Sequence, residues 1–195
     1  MRGCLLKEMS MEMTRRLALM TAAAGAGGLL AVPSADAAIS ARQLNADGSR
    51  ALNRLYASMP RTRELGRMAK AILVFPKIYK GGLLIGGLTG DGVLLTGGKP
   101  AGYYNISAAS FGMQAGGQTY SFALFFMTDG ALDYLRKSAG FAVGSGPSVV
   151  MVDKGMASTM TSTTLTQDVY AFPFGQKGLM AGLGLEGSKI TPIQP

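Results

Sequence analysis

Histidine and tryptophan are absent from this chain, and cysteine occurs once, as Cys4. Without histidine there can be no Ser–His–Asp triad, no Cys/His zinc site and no haem held through histidine. A lone cysteine near the N-terminus excludes an intrachain disulfide. Charge is scarce too, with Asp, Glu, Lys and Arg making up 15% of the 195 residues. What is abundant is glycine, at 28 residues, about twice the usual share. Glycine at this level among Val, Ile, Leu, Thr and aromatic residues points to sheet with many tight turns, not to a coiled coil or a disordered chain.

The N-terminal segment reads as an address. Arg15 and Arg16 precede an uncharged stretch from Leu17 to Ala35, which Ala35-Asp36-Ala37 closes as a small-x-small cleavage signal. The stretch is long enough to span a bilayer, but it is rich in Ala and Gly and only weakly hydrophobic. Thr14-Arg15-Arg16-Leu17-Ala18-Leu19 resembles a twin-arginine export motif. Ala18 stands where that motif favours a bulkier apolar residue, which leaves the general secretion route open. The expectation is a cleavable signal peptide over residues 1–37 and a single mature domain over 38–195. Its location is then periplasmic or secreted, peripheral to an envelope membrane.

The charge is segregated along the mature chain. From Arg42 to Lys80 there are nine basic residues against Asp47 and Glu64, a net +7, whereas residues 81–195 are neutral. Ordinary solvated faces mix the two signs, so this asymmetry says more than a high isoelectric point. Leu44, Ala51, Leu52, Leu55, Tyr56 and Met59 recur near a 3.6-residue period and predict an amphipathic helix over about 43–59. Pro60 interrupts it. A second helix is expected over about 62–70, with Leu65, Met68 and Ala69 inward and Arg63, Arg67 and Lys70 sharing a face.

From Ile72 onward the texture changes. Ile72-Leu73-Val74-Phe75, closed by Pro76, reads as a buried strand. Thr89-Gly90-Asp91-Gly92, between two apolar runs, reads as a hairpin turn. Further strands are expected at 103–107, 110–115, 119–127, 149–152, 157–165, 169–174 and 179–185. A short helix is expected at 129–137, capped by Thr128 with Leu132 and Leu135 inward. The predicted class is α+β: a mainly antiparallel, barrel-like β-sheet with N-terminal amphipathic helices and one short internal helix.

Motifs for catalysis fail on inspection. Gly182-Leu183-Gly184-Leu185-Glu186-Gly187 matches G-x-G-x-x-G, but only eight residues follow it. That leaves no room for the helix and second strand of a dinucleotide site. Gly92 to Lys99 imitates a P-loop, with the lysine one place late and Pro100 where Ser or Thr should bind magnesium. The carboxylates Asp91, Asp129, Asp133, Asp153, Asp168 and Glu186 are scattered. Ser145, in Gly-Ser-Gly-Pro, reads as a turn residue rather than a nucleophile.

Other motifs carry a family resemblance. Ala71 to Pro76, then Lys80-Gly81-Gly82, Gly86-Gly87 and Gly90 to Leu94, resemble the opening of the SYLF lipid-binding domain. Ser110 to Gly116 is similar to that family's central glycine-rich strand, and Gly146-Pro147 to its Gly-Pro turn. Tyr170-Ala171-Phe172, Lys177 to Gly182 and Leu185-Glu186-Gly187 resemble its closing strands. Where the family usually has a Trp-Ser pair before the central strand, this chain has Gly102-Tyr103-Tyr104.

The resemblance implies a binding module without enzyme activity or cofactor. It implies contact with phosphoinositide membranes through a basic amphipathic N-terminal region in eukaryotic members, and with actin in some. Carried over as a region, it designates Arg50, Arg54, Arg61, Arg63, Arg67, Lys70, Lys77 and Lys80 as lipid-binding, with no catalytic or metal residues. The expected partner is an anionic lipid or membrane surface, with no nucleic acid and no small-molecule substrate. A structural envelope protein without a specific lipid ligand is the alternative.

Overall fold

The apolar stripe between Leu44 and Met59 does build a helix. In the computed structural model, residues 35–82, 85–111, 116–137, 140–142, 146–159, 166–178 and 187–195 are described, all within the unit Ser34–Pro195. Helix α1 runs Ala35–Ser58. It starts well before the expected residue 43, because the alanine-rich run from Ala35 to Ala41 favours helix. Ala51, Leu55 and Met59 are buried, with Leu44, Leu52 and Tyr56 packed against the same core. Gly48 has a steric reason for its place in a helix: a Cβ there would lie 2.4 Å from Val93 Cγ1. The helix ends before Pro60, where Thr62 Oγ1 donates to the Met59 carbonyl at 2.6 Å. Most of the expected signal segment, residues 1–34, lies outside the described residues.

Helix α2, Thr62–Met68, is shorter than expected. Leu65 is buried, but Met68 is 49% exposed, contrary to its expected inward position. The helix stops because Ala69 turns extended (φ −67°, ψ 138°) and its N–H closes on the Leu65 carbonyl. Lys70 has then left the helix, its N–H donating to the Phe126 carbonyl at 2.8 Å. Arg63, Arg67 and Lys70 therefore do not share one helical face.

Among the described residues, eight strands follow: β1 (Ala71–Gly82), β2 (Ile85–Thr96), β3 (Lys99–Phe111), β4 (Gly116–Phe126), β5 (Phe141–Ala142), β6 (Val149–Met151), β7 (Val169–Gly178) and β8 (Lys189–Ile193). They form one sheet in the order β5-β8-β3-β2-β1-β4-β7-β6, curled into a half-barrel. Among the described strands, every pair is antiparallel except β6 with β7. Helix α3, Asp129–Lys137, and helix α4, Lys154–Thr159, complete the described elements. The α+β, mainly antiparallel, barrel-like expectation matches this architecture.

The sheet is buried on both faces, which is why its central strands read as continuous apolar runs. On one face Leu73, Phe75, Leu94, Phe122 and Leu124 pack with Leu132 and Leu135 of α3. On the other, Val74, Val93, Phe125 and Phe172 pack under α1 and α2. Thr128 caps α3 as expected, its Oγ1 accepting from the Ala131 N–H at 3.3 Å.

Two further sequence expectations are corrected. The segment from Thr89 to Gly92 is no turn but the interior of β2, paired with Ser107 to Tyr104 of β3. Its glycines exist for close approach. A Cβ on Gly92 would lie 2.5 Å from Phe75 Cδ1, and one on Gly90 would lie 2.7 Å from the Lys77 carbonyl oxygen. Both positions face the irregular stretch of β1 between Phe75 and Ile78. The two-residue turn lies instead at Gly97-Gly98, both with positive φ (57° and 78°), between the paired Thr96 and Lys99. The expected strand at 157–165 begins as helix: α4 covers Lys154–Thr159, with Asp153 Oδ1 accepting from the Met156 N–H at 2.7 Å. Residues 160–165 lie outside the described residues, as do 112–115 and the expected strand at 179–185.

Candidate functional site

The eight basic positions expected to bind lipid are spread over the fold. On α1, Arg50 is ion-paired with Asp47, and Arg54 Nη2 lies 3.5 Å from Ser121 Oγ of β4. Lys70 pairs with Asp129 at 3.1 Å, at the start of α3. Arg61 lines a depression of about 310 Å³ together with Met59, Pro60, Lys154 and Ala157. Lys77 and Lys80 lie towards the far end of β1. At the usual strand rise, Lys70 and Lys80 are about 30 Å apart. The cations thus form several groups rather than one patch.

One group has the geometry of a site. Arg63 and Arg67 stand one turn apart on α2 and line a cleft of about 460 Å³. Its walls are Leu52 and Tyr56 from α1, Ile72 from β1 and Leu95 from β2, with Gly97 and Gly98 at the hairpin turn. Among the described residues, no carboxylate lines it. The Arg63 guanidinium carbon lies 5.2 Å from the centroid of the Tyr56 ring, within cation–π range. Burial pushes the Tyr56 phenol above its ordinary pKa, and the Arg63 charge partly offsets this. Gly66 lets the two helices meet, since a Cβ there would lie 2.4 Å from the Tyr56 hydroxyl oxygen. The cleft therefore offers two planar cations above an apolar floor.

A second depression, of about 490 Å³, lies at the far end of the sheet. Gly81 of β1 pairs with Gly87 of β2 and Gly117 of β4, leaving a strip of backbone without side chains. Tyr79 beside it is 54% exposed, with Lys77 Nζ 4.6 Å from its ring centroid. Lys80 and Lys177 also line this groove. Sequence reasoning missed Lys177 because it belongs to the neutral part of the chain. Only the pairing of Thr119 with Lys177, and of Thr119 with Tyr79, brings it there. Lys154, beside Arg61, was missed for the same reason. Leu52 and Tyr56 of the cleft were visible only as core positions of α1.

The scattered carboxylates hold structure. Asp168 accepts from Thr128 Oγ1 at 3.0 Å and from the N–H and Oγ of Ser148 at 3.2 and 3.1 Å. The Thr128 and Ser148 hydrogen bonds hold its carboxyl below the usual range. Asp91 accepts from Asn105 Nδ2 at 2.7 Å, across β2 and β3. Among the described residues, no group of three or more Asp, Glu, His or Cys side chains could hold a metal ion. None of the described helices is long and apolar enough to cross a membrane. Ser145 lies outside the described residues.

No curated protein matches the chain. The basic segment and the cleft precede the part that a known family recognises, which spans the end of β3 through β8. Residues 107–194 match the Ysc84 family, described as Las17-binding protein actin regulator, and this is the SYLF family that the sequence motifs resemble.

Proposed function

We propose that this protein is an exported, non-catalytic module that binds anionic phospholipid surfaces through its basic segment, residues 42–80. The matched family is one of binding domains, associated with lipid or with actin regulators. The observation that carries the lipid reading is the confinement of the net +7 to that segment, on helices and one strand that surround the Arg63–Arg67 cleft. Arginine suits phosphate oxygens because its planar fork contacts two of them at once. Cardiolipin, phosphatidylglycerol and the phosphates of lipid A are the candidate headgroups for an exported protein.

Co-sedimentation of the mature chain with phosphatidylglycerol or cardiolipin vesicles tests this, with neutral vesicles as reference. Each near-surface base contributes about 1 kcal/mol on an anionic membrane. Replacing Arg63 and Arg67 with Gln should therefore weaken binding by about thirtyfold. Replacing Lys99 and Lys189 removes the same charge elsewhere and should change binding far less. Equal losses would make net charge the cause. No loss in either variant would favour a structural envelope protein, a reading to which the local pairing of Arg50 with Asp47 and Lys70 with Asp129 gives some support. Export is tested by intact mass: cleavage after Ala37 leaves a chain beginning at Ala38.

A further inference from the structure

We propose that the Arg63–Arg67 cleft is a one-lipid site, which takes the phosphate of a single anionic phospholipid on the two guanidiniums and its glycerol and first acyl carbons against Leu52, Tyr56, Ile72 and Leu95. This rests on the lipid reading above and narrows it from a charged surface to a shaped receptor.

Three observations support it. First, like charges at i and i+4 destabilise a helix unless something neutralises them. Among the described residues, neither Arg63 nor Arg67 is ion-paired with a carboxylate, and none lines the cleft. Arg67 gains a little from the helix C-terminus, but that does not account for two arginines above the same cleft. Second, Arg63 is held in place by the Tyr56 ring, so less side-chain freedom is lost when an anion binds. Third, the volume suits an amphiphile. A cleft of about 460 Å³ lies within the range of small-molecule sites. It has room for about fifteen waters, so a bare phosphate would leave most of the apolar floor wet. A phosphate bearing a glycerol and short acyl stems satisfies the cations and dries the floor together. Gly66, Gly97 and Gly98 keep side chains out of this space.

A flat membrane contact and a one-lipid site respond differently to shape. The test is calorimetric titration of the full-length protein with dihexanoyl phosphatidylglycerol, below its micelle concentration. The expected result is saturable binding at one lipid per chain. Inorganic phosphate should compete at least a hundredfold more weakly. Changing Arg63 and Arg67 to Lys keeps the charge but removes the fork, and should weaken the monomer site about tenfold with little effect on vesicle pelleting. Ala69→Phe fills the cleft without touching a charge and should abolish monomer binding, with circular dichroism confirming the fold. If Ala69→Phe unfolds the protein, the lysine variant decides alone.

Absence of saturable monomer binding while vesicles still pellet would overturn the one-lipid site and leave the surface-charge reading standing. Absence of both would overturn both. Phosphate binding as tight as the lipid would reduce the cleft to an anion site and also reject the proposal.

Discussion

Glycines in this chain are not equivalent, and the difference is measurable. Gly92 has no room for a side chain, with Phe75 Cδ1 2.5 Å and the Val74 carbonyl oxygen 2.8 Å from a Cβ placed there. Gly92→Ala should cost about 1–3 kcal/mol of stability, read as a lower urea midpoint. At Gly117 nothing lies within 4 Å of the added Cβ, so Gly117→Ala should change stability by less than about 0.5 kcal/mol. Equal effects would mean that β1 and β2 do not pack as described. Tyr120 gives a second residue-scale case. Its hydroxyl is buried without a hydrogen-bond partner among the described residues, and burial pushes its pKa up to about 12. The neutral phenol is the form that suits the fold, so its contribution is complete below the ordinary pKa of 10. It is lost as pH rises from 10 towards 12. Tyr120→Phe should flatten alkaline unfolding across that window. At neutral pH it should be neutral or stabilising, because an unmatched polar group is removed. None of this could be read from sequence, since Gly-x-Gly in β2 looks like turn chemistry until the irregularity in β1 is known.

At the scale of elements, the start of α3 is tied to the start of β7 and to the residue before β6. Thr128, Asp168 and Ser148 make that clamp. The cap was legible in sequence, because Thr precedes an acidic first turn and an apolar stripe. Its partner forty residues away was not. Thr128→Ala should cost about 1 kcal/mol, seen as a fall in melting temperature. The Asp168 carboxyl is held below its ordinary pKa of 3.8, so its folded form prefers the charged state. The stability it adds is present above pH 3.8 and is lost as pH falls through the lowered value. Asp168→Asn should therefore lower stability at neutral pH and leave a shallower acid limb in a pH titration of unfolding. An unchanged acid limb would show that the clamp carries no charge-dependent stability. The helices on the other face were legible for a related reason. A 3.6-residue stripe works only if one side meets a core, and Ala51, Leu55 and Met59 meet it. Leu55→Ala should cost about 2–5 kcal/mol.

For the whole molecule, the charge asymmetry becomes a distribution over about 30 Å. Binding to anionic vesicles should then fall steeply between low and physiological salt, since exposed charges are screened over about 8–10 Å. A pelleting assay across that range checks it, and salt-independent binding would point to apolar contact instead. Lys80 is joined at the glycine-floored end by Lys177, with Lys77 over the ring of the neighbouring Tyr79. Replacing Lys77 and Lys177 with Gln should therefore weaken vesicle binding modestly, while leaving the one-lipid titration unchanged.

The first three helices, the sheet-rich body and the segregation of charge were determined by the sequence alone, because period, turn residues and net charge are local properties of a chain, whereas α4 stood where a strand was expected. The buried runs at 72–75 and 169–174 identified central strands for the same reason. The tertiary structure decided what depends on distant segments meeting. It made Gly90 and Gly92 packing glycines, ended α2 at Met68, and detached Lys70 from the face shared by Arg63 and Arg67. It also set two arginines over a floor made by α1, β1 and β2 and carried Lys177 to the end of β1. Each of these follows from strand pairing and helix docking across tens of residues, which no local pattern encodes.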